Sequence, residues 1–254
     1  MWRRIRKIWI TLGLIATVLF AGWSIVAYRA GPEARLAIQN DAAVSVTREA
    51  GGWRFMPADS SRLQKVGFIF FPGGLVEPIA YAPLTHATAE AGFPTYMIEL
   101  PRRGAFGGAR SPEVANRIHQ AIRETKVTRW VLGGHSLGAV IACDFASRGV
   151  DGMAGLILIG TSHPRDVDLS RMNLRVTKIA GTRDGLASRE KVEENKVKLP
   201  PLTKWVWIEG GNHSQFGWYG FQPGDHFATI PAASQREQML RAVLESLRAD
   251  AESL

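Results

Sequence analysis

The sequence of 254 residues predicts an α/β fold, a mostly parallel, doubly wound sheet with helices on both faces. Three observations predict it. From residue 66 onward, short apolar runs that read as strands alternate with helical patterns. Residues 130–132 lead through Gly134-His135-Ser136-Leu137-Gly138 into an apolar helical stretch at 139–146, a strand–turn–helix unit. The candidate functional residues all fall just past strand C-terminal ends, where open α/β sheets bind ligands.

Taken in order, residues 8–28 give 21 positions without a charge, long enough to cross a bilayer as a helix. Arg3, Arg4, Arg6 and Lys7 precede them and favour an N-terminus kept in the cytoplasm. Trp9, Trp23 and Tyr28 lie toward the ends of the span, where amphipathic rings favour the interface. Residues 1–30 therefore read as a basic segment with a single-pass cell-membrane anchor, and 31–254 as an extracytoplasmic α/β domain. The alternative is a cleaved signal peptide and a secreted domain. The apolar stretch is long for that, and residues 27–30 lack a good Ala-x-Ala site.

Residues 43–48 and 53–56, joined through Gly51-Gly52, read as an antiparallel hairpin. Strands follow at 66–71, 95–99, 129–133, 155–159, 174–180 and 204–208. Helices are expected at 80–91, 112–125, 137–147, 188–197 and 234–249. The segment 160–173 is too short to hold a large helical lid, so the site is expected to be open.

Composition limits the function classes. About 220 residues after the span suffice for one core. The formal charge is +8, and the N-terminal cations supply half of it. The modest remainder gives little support to nucleic-acid binding and is compatible with an anionic membrane surface. Cys143 is the single cysteine, so no intramolecular disulfide can form. There is no Cys/His cluster of zinc spacing and no phosphate-cradling loop followed by lysine. Neither a metal nor an organic cofactor is expected.

A serine at the apex of a glycine-pinched strand-to-helix turn is held strained with its hydroxyl exposed, which makes Ser136 the candidate nucleophile. The bland alternative is a serine that merely caps the helix. A serine hydroxyl needs a base. His213 follows the apolar run 205–208 and comes after the serine in chain order. His226 is its rival. Asp184, in Gly181-Thr182-Arg183-Asp184-Gly185, ends another strand and is the candidate acid, with Asp166 and Asp168 as alternatives. The oxyanion of an acyl transfer needs donors. Leu137 N–H is one. Gly74, in Pro72-Gly73-Gly74-Leu75 after the buried run 66–71, is the choice for the other, ahead of Leu75 or Gly73. Phe216, Trp218 and Tyr219 follow the base and either wall an acyl pocket or pack their own loop.

These motifs resemble the α/β-hydrolase superfamily, and more narrowly bacterial hydrolases of dienelactone-hydrolase-like or esterase-like kind. The Pro-Gly-Gly segment, the Gly-His-Ser-Leu-Gly elbow and the Gly210-Gly211-Asn212-His213 loop with Gln215-Phe216-Gly217 carry the likeness. So do Gly-Thr-Arg-Asp184-Gly-Leu and the run 216–225, within 66–84, 130–147, 174–186 and 205–230. The resemblance implies an α/β-hydrolase fold and a serine hydrolase that cleaves a small ester-type acyl substrate through an acyl-enzyme. One departure is Glu99-Leu100-Pro101-Arg102-Arg103, where apolar and amide residues are expected after the proline. Arg102 and Arg103 can pair with a carboxylate or phosphate on a substrate, or form a solvated pair that attracts anionic head groups. An acyltransferase or thioesterase on the same triad, or a non-catalytic interaction protein on this fold, are the other classes. Oligomeric state is not legible.

Overall fold

The computed structural model describes residues 2–123 and 127–252. Eight strands form one sheet: β1 (Val44–Glu49), β2 (Gly52–Pro57), β3 (Val66–Phe71), β4 (Thr95–Ile98), β5 (Arg129–His135), β6 (Met153–Ile159), β7 (Arg175–Gly181) and β8 (Lys204–Ile208). Their spatial order is β1-β2-β4-β3-β5-β6-β7-β8. The hairpin β1–β2 is antiparallel and joins the sheet by pairing antiparallel with β4, Gly52 opposite Ile98. From β4 to β8 every neighbouring pair is parallel. All their C-terminal ends thus lie along one edge.

Strand alternation divides the core between the two faces of the sheet. Phe68 and Phe70 of β3, Val131 of β5 and Ile157 of β6 pack on one face. There they meet the helices α3 (Ala82–Glu90) and α7 (Ala232–Glu252). Ile69 and Phe71, Leu132, Leu156 and Leu158 turn to the other face. They meet α4 (Pro112–Arg123) and α5 (Leu137–Arg148). β3 is buried at every position because both of its faces are covered, which is why it reads as a continuous apolar run.

The expected elements are present, with local differences. The helix expected at 80–91 is a short 3₁₀ turn at Pro78–Tyr81 followed by α3. The one expected at 188–197 stops early, as α6 (Arg189–Glu194) and a turn at Lys196–Lys198. Residues 124 and 125, at the expected end of α4, lie outside the described residues. The N-terminal helix α1 (Trp2–Ala27) starts before residue 8, so the basic residues extend the helix rather than precede it. It is long and apolar enough to cross a membrane, and along it only Ala27 is buried. A one-turn helix, α2 (Pro32–Leu36), was not expected. Five residues are too few for a periodicity, although Pro32 sits at the helix start that proline favours.

The stretch between α1 and α2 is bonded to the domain. Ala27 C=O accepts from Gly220 N–H at 2.7 Å, and Tyr28 C=O accepts from Glu77 N–H at 2.8 Å. Gly31 N–H donates to Trp218 C=O at 2.7 Å. Ala30 N–H donates to the Glu77 carboxylate at 2.8 Å, and Arg35 pairs with the same oxygen. The boundary drawn at residues 30 and 31 therefore falls inside a stretch tied to the domain on both sides.

Candidate active site

Backbone sterics build the serine turn. A methyl group added at Gly138 would sit 1.9 Å from Phe71 C=O, and one at Gly134 would sit 2.4 Å from the Gly138 carbonyl carbon. Only glycine lets β3, β5 and α5 approach this closely. Ser136 pays for that sharpness with φ 53° and ψ −116°, a conformation that non-glycine residues rarely adopt. Its N–H is fixed to Ile159 C=O at 3.0 Å. Leu137 N–H opens α5, so the helix N-terminus adds its positive end to the same spot.

The candidate acid and base meet beside this turn. His213 Nδ1 lies 2.9 Å from Asp184 Oδ2, and both side chains are buried. The other oxygen, Oδ1, accepts from Leu186 N–H at 2.9 Å and Ala187 N–H at 2.7 Å. The carboxylate is thus locked in place, and it fixes His213 with Nδ1 as donor and Nε2 as the free acceptor. Nε2 is buried and makes no hydrogen bond. The ring of His135, the residue before Ser136, stands 4.5 Å from the His213 ring. Asp166 and Asp168 are exposed and bond elsewhere, Asp166 to His163 at 3.8 Å. His226 is exposed and contributes its backbone to the loop, accepting from Asn212 Nδ2.

Gly74 lies against Leu137: a methyl group added there would be 2.9 Å from the Leu137 Cδ2. The two candidate oxyanion donors are therefore neighbours. Behind them, Tyr81 OH accepts from Gly73 N–H at 3.2 Å and contacts His135 Nδ1 at 2.8 Å. This buried bridge ties the glycine loop to the serine turn. Burial, and then the adjacent His213, hold the His135 pKa well below the usual histidine value, so His135 stays neutral.

The pocket candidates are placed differently from one another. Phe216 is fully buried against His135. Tyr219 packs on Tyr81 and Tyr28, and Trp218 lies under the Arg236 guanidinium. None of the three borders a cavity of about 680 Å³ that opens beside Leu137 between α4 and α5. Val114, Val140, Ile141, Phe145 and Val167 form its apolar wall. Arg102 and Arg103 are exposed on a turn after β4 and do not border it either. Both have left-handed backbone, φ 50° and 51°. Arg103 C=O accepts from Leu75 N–H at 2.8 Å, so this turn props up the glycine loop.

Sequence reasoning missed what organises the histidine loop. Asp225 is buried, and its Oδ1 accepts from His213 N–H at 3.2 Å, Gly185 N–H at 3.1 Å and His226 N–H at 2.8 Å. Its Oδ2 accepts from Ser214 N–H at 2.8 Å and Ser214 OH at 2.7 Å. One carboxylate thus joins the His213 loop to the Asp184 turn. Gln235 of α7 clamps Asn212 from the other side, accepting at 2.9 Å and donating at 2.6 Å. In the sequence Asp225 shows only as the charged residue that closes the run 216–225, which counts toward the resemblance without giving Asp225 a role. Among the described residues no group of His, Cys, Asp and Glu could hold a metal ion.

The architecture agrees with known proteins. Residues 67–237 match the Alpha/beta hydrolase family. A search of curated proteins found no significant relative. Among solved structures, the chain resembles a dienelactone-hydrolase-like protein from Klebsiella pneumoniae. The TM-score is 0.57 at 13% identity, over 82% of this chain and 99% of that one. It also resembles an alpha-beta serine hydrolase homologue from Coxiella burnetii, at TM-score 0.55 and 15% identity, over 82% and 99% of the two chains. A bacterial membrane phospholipase A superposes with TM-score 0.56 at 13% identity, over 96% of this chain and 99% of its own. At such identities these structures speak for the fold alone. The family match covers most of the sequence, and the chain belongs to the alpha/beta hydrolase family.

Proposed function

We propose that the protein is a membrane-anchored serine hydrolase that cleaves an ester-type acyl bond. The observation that carries this reading is the buried Asp184–His213 pair, 2.9 Å apart, whose His213 ring lies 4.5 Å from that of His135, the neighbour of Ser136 in a strained, glycine-pinched turn. His213 Nε2 takes the proton as Ser136 Oγ attacks the acyl carbonyl. Leu137 and Gly74 N–H groups hold the oxyanion. His213 then returns the proton to the leaving alcohol, and water resolves the acyl-enzyme by the same route. The acyl chain lies in the 680 Å³ cavity beside Leu137, which is within the usual size of a ligand pocket. Anchoring is supported by the length and exposure of α1 and by the basic residues at its start.

A fluorophosphonate probe should label Ser136, and Ser136→Ala should abolish labelling and lower kcat by several orders of magnitude while thermal unfolding is unchanged. Asp184→Asn should lose about 10⁴ in kcat, as the same change does in a serine-protease triad. Near-normal ester turnover by purified Ser136→Ala would refute the mechanism.

A further inference from the structure

We infer that the catalytic edge of the sheet lies against the head groups of the bilayer that α1 enters, and that the acyl donor is a lipid ester of that leaflet. The inference rests on the anchored reading above and adds to it the orientation of the site and the class of its substrate.

The contacts at the end of α1 set the orientation. A membrane span ends at the boundary between hydrocarbon and head groups. Here the residues at that end are bonded to two loops of the active site. One is the loop after β3, where Glu77 follows the oxyanion candidate Gly74 by three residues. The other is the loop after β8, where Trp218 and Gly220 follow His213. Trp218 N–H also donates to Ala80 C=O at 2.8 Å, so the two loops and the end of the span form one unit. Loops bonded directly to the end of a span cannot stand far from the surface it enters.

The exposed side chains on this edge suit that surface. Phe106, after β4, is 93% exposed, and Phe227, after β8, is 77% exposed. Leu75 beside Gly74 is half exposed. Arg29 at the end of the span, Arg102 and Arg103 after β4, and Arg183 after β7 are exposed as well. Aromatic rings and cations together are what an interfacial surface uses, rings entering the head-group layer and cations meeting lipid phosphate. The exposed carboxylates of these loops, Asp166, Asp168 and Glu209, are fewer. Leu63, Val197 and Leu202 are also exposed, but they lie toward the opposite edge, near the starts of β3 and β8. A mouth held at head-group depth selects substrates whose ester bonds lie at that depth, which is where the ester bonds of glycerolipids sit.

The test uses the full chain in vesicles of phosphatidylethanolamine and phosphatidylglycerol. Single cysteines placed at Phe106, Phe227 and Leu202 carry a fluorophore; the native Cys143 is buried and does not compete. A lipid with a nitroxide at its head group should quench the label at 106 and at 227 and leave the one at 202 bright. The double variant Phe106→Ser with Phe227→Ser should lose about tenfold in turnover of a vesicle-embedded diacyl lipid ester, roughly the effect of withdrawing two interfacial rings. Its turnover of a soluble p-nitrophenyl ester should not change, which also shows that it folds. Carbonate extraction separates the two readings. Release of the wild-type chain would overturn the anchor, and this inference with it. Retention with dark labels at all three positions, or bright ones at 106 and 227, would overturn the orientation alone. Quenching as expected, with no hydrolysis of the embedded lipid, would overturn the substrate class.

Discussion

The serine turn and the histidine loop meet at one site but are held by different means. Residues 134–138 are fixed by backbone contacts: two glycines without room for a methyl group and a serine with φ 53°. Residues 210–225 hold only a single 3₁₀ turn, Ser214–Phe216, and are shaped by side chains, chiefly Asp225 and Gln235. Steric constraint is all-or-none, because a carbonyl 1.9 Å from a new methyl group must move. A hydrogen-bonded network is graded, because each lost bond removes one part of it. The two halves of the site should therefore respond differently to small changes.

Gly138→Ala is the sharpest way to test this contrast. Phe71 C=O has to shift, and with it the strand that precedes the oxyanion loop. The expected result is a loss of about 10³ or more in kcat together with about 1–3 kcal/mol of stability. Steady-state turnover and chemical denaturation would measure both. A variant with full activity would show that the turn is less rigid than its geometry implies.

Asp225→Asn addresses the other half. The amide keeps the size of the carboxylate but removes its charge and replaces one acceptor oxygen with a donor. Turnover should fall by about 10–100-fold, the scale of one or two charge-assisted hydrogen bonds, with the fold intact. Slow labelling of Ser136 by fluorophosphonate should persist, since the serine's own turn is untouched. A loss below twofold would mean that Asp184 alone positions His213.

The smallest effect concerns Lys178, on the strand that carries the acid. It is fully buried in β7 and donates to His163 C=O. Burial, with a smaller push from Arg165, lowers its pKa to about 7, against the pull of Cys143 and Asp184. In the unfolded chain a lysine keeps its proton to about pH 10.4. Between those values the unfolded state binds more protons, so stability should rise with pH from about 7 toward 10. Lys178→Met should flatten that rise. Thermal midpoints of both proteins in mild detergent at pH 7 and pH 9.5 would show it, and identical slopes would count against the buried charge.

The same contrast explains what the sequence made legible. The serine turn was readable because its constraint is local and leaves glycines at fixed spacing. The parallel strands were readable because both faces are covered, which makes β3, β5 and β6 continuous apolar runs. His213 and Asp184 could be placed by chain order and by their positions after strands. Asp225 and Gln235 could not, because their partners lie up to 40 residues away and no periodicity marks a network. The short α2, the antiparallel attachment of β2 to β4, and the Tyr81–His135 bridge were hidden for the same reason. The aromatic residues after His213 show how far composition reaches. It leaves open whether they wall a pocket or pack, and in the fold Phe216 packs on His135, Tyr219 on Tyr81 and Tyr28, and Trp218 under Arg236.

The direct bonding of Ala27 and Tyr28 to the domain has a kinetic consequence. A domain on a flexible tether samples a hemisphere whose radius grows with tether length. On the anchored reading proposed above, this domain has no slack and would not swing out to collect solutes or reach across to another surface. Its encounters would be confined to a disc of membrane about as wide as itself, which lateral diffusion keeps refilling. Turnover in a native membrane should then scale with the mole fraction of substrate in the leaflet rather than with its bulk concentration.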